Sequence, residues 1–288
     1  MASTVISSFQ QFSKNLEITD LQRSTVATRQ KTIRETIENE MNVLDSFLTG
    51  SYCRHTMIAP LSKADIDIFV ILSPSHYSSD GQKSLLDEVK RVLRKRYTQT
   101  PEISRNGQAV TITFTDFLVD VVPGFKRQGG GFLIPDSRNG VWISTNPQYH
   151  IEYKSRQNDV HNGNLVPIIK MIKCWNRYNN SAFISFYLEL LAIKIFNNVT
   201  ISDYPSGIRF FLDKGREAIK YKIQDPVSYG GIINGFRNTK TVLDAIQLFE
   251  TDYNIALKAE SFNRNGDNEK AINEWRKIFG NYFPAYTR

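Results

Sequence analysis

The feature that most constrains this chain is a continuous apolar run over residues 68–72, which two aspartates precede in the segment DIDIFVIL. Such runs are typical of strands that are covered on both faces of a sheet. Asp65 and Asp67 stand two residues apart, so both side chains would point to one face of the strand. Like charges so placed repel each other, and burial makes the repulsion more costly. The sequence therefore predicts a strand over residues 65–72 with a cation near its first residues.

A pair of carboxylates on one strand face is suited to metal binding. The Cα atoms of residues i and i+2 lie about 6.5–7 Å apart, so Asp65 and Asp67 can converge on one divalent ion or share two. Magnesium prefers a few carboxylates together with water and substrate phosphate oxygens. A D-x-D pair alone is weak evidence, because most such pairs are solvated or capping residues. Supported by other residues, the pair predicts a magnesium site and a phosphate-bearing substrate.

Three further positions bear on this site. Gly50 and Ser51 follow a helix-forming segment, and small residues there let backbone N–H groups and a hydroxyl approach a polyphosphate. Asp120 lies in the apolar segment FLVDVVP, where a lone acid is costly unless it is paired or bound to metal. The alternative for Asp120 is an edge-strand acid that faces solvent. Asp116 lies in a predicted turn, so we interpret it as a turn former.

Hydrophobic periodicity places further elements in the first half of the chain. A stretch without Gly or Pro predicts a long helix from about Asp20 to Phe47, and an amphipathic pattern predicts a second helix from about Gln82 to Tyr97. Two β-rich runs around a tight connection at 115–117 predict a hairpin over 110–122. The glycines at 129–131 lack the spacing of a P-loop, so we interpret them as a flexible loop.

From about residue 159 the pattern becomes helical, and no strand is expected there. The predicted helical segments are 162–177, 181–198, 205–221, 238–262 and 267–279. We therefore predict an α+β fold with two domains and a cleft between them. A mixed β-sheet with flanking helices would occupy residues 1–157, and an all-helical domain would occupy residues 158–288.

Charge and composition indicate what kind of partner the chain binds and where in the cell it acts. The net charge of +7 favours a polyanionic partner such as a nucleotide, a nucleic acid or an anionic surface. No run approaches the ~18 apolar residues of a membrane-spanning helix, and the start of the chain has no secretory signal pattern. The two cysteines and four histidines form no zinc spacing. We expect a cytoplasmic protein that does not contact a membrane.

The combination of Gly50-Ser51, Asp65-x-Asp67 and Asp120 resembles the catalytic signature of the DNA polymerase β-like nucleotidyltransferase superfamily. The fuller segments GSYCRHTMIAPL, DIDIFV and VDVVP are similar to those of the cGAS/DncV-like nucleotidyltransferases (CD-NTases) of bacterial anti-phage systems. The segments IIKMIKCWN and FISFYLELL resemble the triphosphate-binding part of that family's second domain. The sequence lacks the zinc insertion of the animal DNA sensor, so the resemblance does not imply that this chain senses DNA.

The resemblance implies a role for each matching residue. Two magnesium ions, with manganese as a substitute, would be held by Asp65, Asp67 and Asp120, which are the expected catalytic and metal-binding residues. The expected nucleotide-binding residues are Gly50, Ser51, Lys170, Lys173, Ser185 and Phe186. Ser51 would bind the β and γ phosphates, Lys173 and Ser185 would contact the triphosphate, and Phe186 would stack on a base. The alternatives are a solvated helix lysine at Lys173 and a core aromatic at Phe186.

These residues favour an enzyme that joins ribonucleoside triphosphates, ATP among them, into a cyclic oligonucleotide second messenger. One alternative is a template-independent polymerase, or a protein or RNA nucleotidyltransferase of the same superfamily. Another is a non-catalytic nucleic-acid-binding module, which would use a basic helix face comprising Lys90, Arg91, Arg94, Lys95 and Arg96. Double-stranded DNA is not expected to be required. Some CD-NTases depend on a HORMA-domain protein, which makes such a protein a candidate activator here.

Overall fold

A computed structural model describes residues 3–100, 102–237 and 241–287 of the chain. The α-helices are α1 (Val5–Asn15), α2 (Asp20–Glu38), α3 (Gly50–Cys53), α4 (Gln82–Arg96), α5 (Pro147–Val160), α6 (Leu165–Tyr178), α7 (Ser185–Phe196), α8 (Tyr204–Ala218), α9 (Val242–Arg264) and α10 (Asn268–Phe279). The strands are β1 (Val43–Leu48), β2 (Asp65–Leu72), β3 (Glu102–Asn106), β4 (Ala109–Thr113), β5 (Leu118–Lys126), β6 (Phe132–Asp136), β7 (Val141–Thr145), β8 (Ile223–Gln224) and β9 (Ile232–Ile233). The predicted α+β class, a mixed sheet with flanking helices followed by a helical region, is confirmed.

The predicted apolar strand is confirmed as β2, an interior strand of a seven-stranded sheet. The sheet runs in the order β1-β2-β5-β4-β3, and β6 extends from β5 and pairs with β7. Strand β2 is parallel to β5 and antiparallel to β1. Because it has a neighbour on each side, its backbone hydrogen bonds are made within the sheet, and only its side chains remain to be covered.

The two faces of β2 are covered in different ways. Ile66 and Ile68 belong to a core that also contains apolar residues of α2 and α4. On the other face, Phe69 and Ile71 pack with Phe132. The strand is therefore buried on both faces from residue 68 onward, whereas its first residues carry acids on the second face, ahead of that apolar cover.

One predicted helix is wrong in its second half. The helix expected over residues 20–47 ends at Glu38, and Val43–Leu48 forms the edge strand β1. Strand β1 pairs antiparallel with β2, and the ring of Phe47 stacks on that of Phe69 with centroids 5.2 Å apart. Pairing with an apolar strand thus outweighs the weak local preference for helix.

The predicted second helix and the predicted hairpin in this half are confirmed. Helix α4 covers residues 82–96, and β4 and β5 form the predicted hairpin, with Thr113 opposite Leu118. The glycines at 129–131 all have positive φ in the turn between β5 and β6. Strands β6 and β7, which the sequence did not predict, continue the sheet beyond that turn.

The second half is helical, with one exception. Helices α6 to α10 follow the predicted segments within a few residues, and the first three residues of the segment predicted over 238–262 lie outside the described residues. The expectation that no strand occurs there is wrong, because β8 and β9 form a short antiparallel pair. Among the described helices, none has the length and apolar character required to cross a bilayer.

The chain divides into two compact units that do not follow chain order. The helical unit comprises Met1–Glu17, Lys154–Asp225 and Gly231–Arg288, and the sheet unit comprises Ile18–Tyr153 and Pro226–Gly230. Helix α1 belongs to the helical unit because its Phe9 and Phe12 join an aromatic cluster. The Phe9 ring lies 4.9 Å from that of Trp275, and the Phe12 ring lies 4.7 Å from that of Phe279. The division into domains at residues 157 and 158 stays a prediction.

Candidate active site

The predicted acids lie on one face of the sheet unit. Successive side chains of a strand alternate between faces, so Asp65 and Asp67 lie opposite the face on which Ile66 and Ile68 enter the core. Asp65 is exposed and Asp67 is half-buried. The alternation of acid and isoleucine therefore places both carboxylates at the start of the strand, on the side away from α2 and α4.

Strand β5 brings the third acid to the same row. Asp67 is in parallel register with Asp120, and Asp120 is in antiparallel register with Thr111 of β4. Residues that are paired across neighbouring strands share a face. Asp67, Asp120 and Thr111 therefore form a row across three adjacent strands, and the Thr111 hydroxyl donates a hydrogen bond to Asp120 Oδ1.

Burial and charge act together on Asp120. Its burial raises the pKa of the Asp120 carboxyl, the hydrogen bond from Thr111 opposes that shift, and the charge of Asp65 adds to it. The net direction is upward. The upward contribution from Asp65 is a repulsion between two carboxylates on neighbouring strands, β2 and β5.

Gly50 lies directly against this row. The backbone N–H of Thr49 donates to the carbonyl of Asp67 at 2.9 Å, which holds the end of the β1–α3 connection on β2. Gly50 has a φ of +65°, and a Cβ at this position would stand 1.6 Å from Asp67 Oδ2. Only glycine fits here without displacement of the carboxylate. The carbonyl of the next residue, Ser51, accepts hydrogen bonds from the N–H groups of Thr56 and Met57.

The donor set fits a hard divalent cation by its chemistry. Carboxylate oxygens are the protein ligands that magnesium prefers, and Asp65, Asp67 and Asp120 supply three carboxylates on one sheet face. In the described ranges, no group of three or more His, Cys, Asp or Glu side chains is already arranged to hold a metal ion. Asp65 is the exposed member of the three, and a bound cation would offset the repulsion between carboxylates on this face.

The lysines predicted on α6 are both buried in the helical unit. Lys170 is 6% exposed, and its Nζ lies 2.5 Å from Glu17 Oε1. Lys173 is 7% exposed, and its Nζ lies 3.2 Å from Oε1 of Glu189, which is itself 1% exposed. A fully solvated surface lysine is thus not what the structure shows at Lys173. Both lysines face acidic partners, which a phosphate group would have to share or displace.

The remaining two predicted residues begin α7. Ser185 is the first residue of that helix, and Phe186 is the second; both are half-buried. Their positions in the helical unit are compatible with ligand contact and with packing alike, so their roles stay predictions.

Several contacts at these sites were not predicted. Thr111, Glu17 and Glu189 each touch a predicted site residue. Glu189 carries a detectable signal, since it is an acid inside the apolar run SFYLELLAIKIF, where an unpaired charge would be costly. Thr111 could be found only from the hairpin register, and Glu17 lies too far from Lys170 in sequence to be paired with it by pattern.

Two other charged features are structural contacts. Asp116, interpreted as a turn former, lies between β4 and β5, and Arg29 holds it through two guanidinium hydrogen bonds. On the basic face of α4, Lys95 pairs with Glu40 at 2.5 Å, and the Arg94 guanidinium donates to a backbone carbonyl of β3. Part of that basic face is therefore engaged within the chain, which weakens the case for a nucleic-acid surface there.

Comparison with known proteins gives a family match. Residues 3–158 match the model of the Second Messenger Oligonucleotide or Dinucleotide Synthetase domain. A curated relative, the cyclic AMP-AMP-AMP synthase of an Acinetobacter strain, is 30% identical over 83% of this chain and 72% of its own length. The family match covers the strands that carry the three predicted acids.

Solved structures show the same fold. Vibrio cholerae DncV, a cyclic AMP-GMP synthase solved with a linear intermediate, matches with a TM-score of 0.80 at 12% identity, over 99% of this chain and 97% of that one. Escherichia coli CdnC, solved in complex with a HORMA protein, matches with a TM-score of 0.76 at 18% identity, over 97% and 98%. At these sequence identities, the structural similarity establishes the fold alone.

Proposed function

This chain belongs to the Second Messenger Oligonucleotide or Dinucleotide Synthetase family, whose members are cGAS/DncV-like nucleotidyltransferases, and we propose that Asp65, Asp67 and Asp120 carry its nucleotidyl transfer. The enzyme is a cyclic oligonucleotide synthase. The observation that carries the assignment is the register of Asp67 on β2 with Asp120 on the adjacent parallel strand β5, together with the close approach of Gly50 to Asp67.

The family is metal-dependent, and we assign two magnesium ions to Asp65, Asp67 and Asp120. Manganese would substitute, since it accepts the same oxygen ligands. When bound, the ions would lower the pKa of the attacking ribose hydroxyl and offset the negative charge on the leaving pyrophosphate.

The chain's own groups then bind, orient and accept a proton. In each transfer the oxygen of a ribose hydroxyl forms a bond to an α-phosphorus, while the bond from that phosphorus to pyrophosphate breaks. Asp120 is suited to take the hydroxyl proton, because its carboxylate shares the sheet face of Asp67 and would lie beside the acceptor hydroxyl. Gly50 and Ser51 would lie along the phosphates of the donor nucleotide.

In the helical unit, Lys170, Lys173, Ser185 and Phe186 are the proposed nucleotide contacts. The buried ion pair of Lys173 with Glu189 fixes the ammonium group in one place, which suits a group that has to meet a triphosphate. Lys170 lies three residues earlier on the same helix face. Phe186 would stack on a base, a contact worth about 1–3 kcal/mol.

The substrates proposed are ribonucleoside triphosphates with ATP among them, and the product is a ring. Ring closure occurs when the free hydroxyl of the bound linear intermediate attacks its own remaining triphosphate, an intramolecular step with a high effective concentration. We further propose a role in bacterial anti-phage signalling, in the cytoplasm, with a HORMA-domain protein as candidate activator. The proposed HORMA-domain activator is supported by the fold that this chain shares with CdnC, which has been solved with a HORMA protein.

The test is incubation of the purified chain with all four ribonucleoside triphosphates and magnesium, followed by phosphatase treatment and mass spectrometry. A cyclic product has no terminal phosphate, so it should survive phosphatase and be degraded by a phosphodiesterase. A ladder of linear products of growing length would indicate a template-independent polymerase. Label transferred to protein or RNA would indicate a macromolecule-modifying transferase. Either result would contradict the proposed function.

A further inference from the structure

We propose that the side chain of Thr111 sets the orientation of the Asp120 carboxylate, which makes Thr111 a positioning residue for nucleotidyl transfer. This inference rests on the proposed function of Asp120. Thr111 lies on β4 directly opposite Asp120 of β5, and its Oγ1 donates to Asp120 Oδ1. Thr111 is 7% exposed, so bulk water competes little for this bond.

The hydrogen bond removes the main freedom that an aspartate side chain retains in a strand. The terminal torsion of Asp is broad and roughly two-fold, so a strand alone does not fix the plane of the carboxylate. With Oδ1 bound to Thr111, rotation of the carboxylate is restricted, and Oδ2 keeps both of its acceptor sites for an acceptor hydroxyl or a cation. A group that acts on a reacting atom gains most from such fixed geometry.

The residue type suits this role. Threonine is β-branched, so its χ1 torsion is restricted in a strand and its hydroxyl is held in one direction. A buried hydroxyl without a partner would be costly, which favours the bond to Asp120 over other arrangements.

The direct test compares Thr111→Val with Thr111→Ser. Valine keeps the shape and strand preference of threonine but removes the donor, and serine keeps the donor. We expect Thr111→Val to lower kcat about 10- to 100-fold, the usual cost of losing a residue that orients a metal ligand, with little change in KM for ATP. Thr111→Ser should recover most of the lost rate. Thr113→Val, two residues along β4 and opposite Leu118, is the matched control and should keep wild-type kcat.

A second readout does not depend on turnover. If Thr111 orients Asp120, the Thr111→Val variant should need a severalfold higher magnesium concentration than wild type for half of the magnesium-induced rise in melting temperature. Thr111→Ser should need the wild-type concentration. If Thr111→Val does not fold, as judged by circular dichroism, Thr111→Ala removes the same donor without added bulk and replaces it in both measurements.

Asp120→Asn separates this inference from the proposed function. An inactive Asp120→Asn variant, together with a Thr111→Val variant that has wild-type kcat, would overturn the inference and leave the proposed function standing. Equal loss in Thr111→Val and Thr111→Ser would also overturn it, because the hydroxyl would not be the cause. Full activity in Asp120→Asn would overturn the role of Asp120 and the inference with it. In the double variant, Thr111→Val should no longer change the magnesium concentration needed for half of the rise in melting temperature, since the carboxylate that Thr111 orients is gone.

Discussion

Replacement of Asp252 by Asn tests how the burial of one carboxylate controls the stability of the helical unit. Asp252 is 6% exposed on α9, and its Oδ2 accepts a hydrogen bond from Nε1 of Trp175 at 2.6 Å. Burial raises the pKa of Asp252 to about 6, and the hydrogen bond from Trp175 only partly opposes that shift. Between about pH 4 and pH 6, the carboxyl of Asp252 is therefore protonated in the folded protein but ionised in the unfolded chain.

The size and sign of the effect follow from linkage. The pKa changes from 3.8 in the unfolded chain to about 6 in the folded protein. At about 1.36 kcal/mol per pKa unit, the ionised group costs the folded state about 3 kcal/mol above pH 7. The cost is absent below pH 3.8, because the group is then protonated in both states. Wild-type stability should thus fall as pH rises from about 4 to about 6, and the Asn variant should lack this contribution.

The assay is urea denaturation of wild type and Asp252→Asn at pH 4.5 and pH 7.5. The free energy of unfolding of the variant relative to wild type should rise by about 2 kcal/mol between these pH values. The amide of Asn can still accept from Trp175, and any cost of its unpaired N–H groups cancels because it is the same at both pH values.

Asp116→Asn is a matched variant for which the change of stability with pH should have the opposite sign. Burial tends to raise the pKa of Asp116, but the hydrogen bonds and charge of Arg29 outweigh it, so the pKa is lowered. This variant should lose stability relative to wild type as pH rises through the acid range. A difference between Asp252→Asn and wild type that does not change with pH would refute the reasoning about Asp252.

Three further predictions follow from the site. Gly50→Ala should lower activity more than tenfold, because the added Cβ would displace Asp67. Gly140→Ala, at a similar φ of +67° but with open space around it, should keep wild-type activity, and equal losses in the two variants would contradict the steric argument. Lys173→Met should lower the free energy of unfolding by about 3–5 kcal/mol, because it removes a cationic partner of the buried Glu189 carboxylate. The double variant Lys173→Met with Glu189→Leu should recover stability in denaturation but keep a raised KM for ATP. Double-stranded DNA should not be needed for turnover; activation by DNA that is lost steeply with salt would contradict this.

The parts of the fold that the sequence predicts are those with a strong local pattern. The central strand β2, the hairpin of β4 and β5 and most helices have either a long apolar run, a tight turn or a clear amphipathic period. Strand β1 lacks such a pattern. Its residues adopt an extended form because β2 offers an unpaired edge, and that edge exists only in the folded sheet.

The candidate site divides in the same way. The acids of β2 and β5 could be predicted because a charge in an apolar strand is conspicuous. The contact of Gly50 with Asp67 depends on a positive φ and a close approach that sequence alone does not reveal. The partners Glu17 and Glu189 are set by helix packing, and α1 joins the helical unit through aromatic contacts with residues at the other end of the chain. Contacts of this kind are fixed by tertiary structure.

The most direct test of the central claim is turnover by the double variant Asp65→Asn with Asp67→Asn. Wild type and variant would be incubated with the four ribonucleoside triphosphates and magnesium, and pyrophosphate release and cyclic product would be measured. We predict product from wild type and none from the variant, whose melting temperature without added metal should be unchanged or higher, because the repulsion between the two carboxylates is removed. Unchanged turnover in a folded double variant would contradict the assignment of these acids as the centre of the reaction.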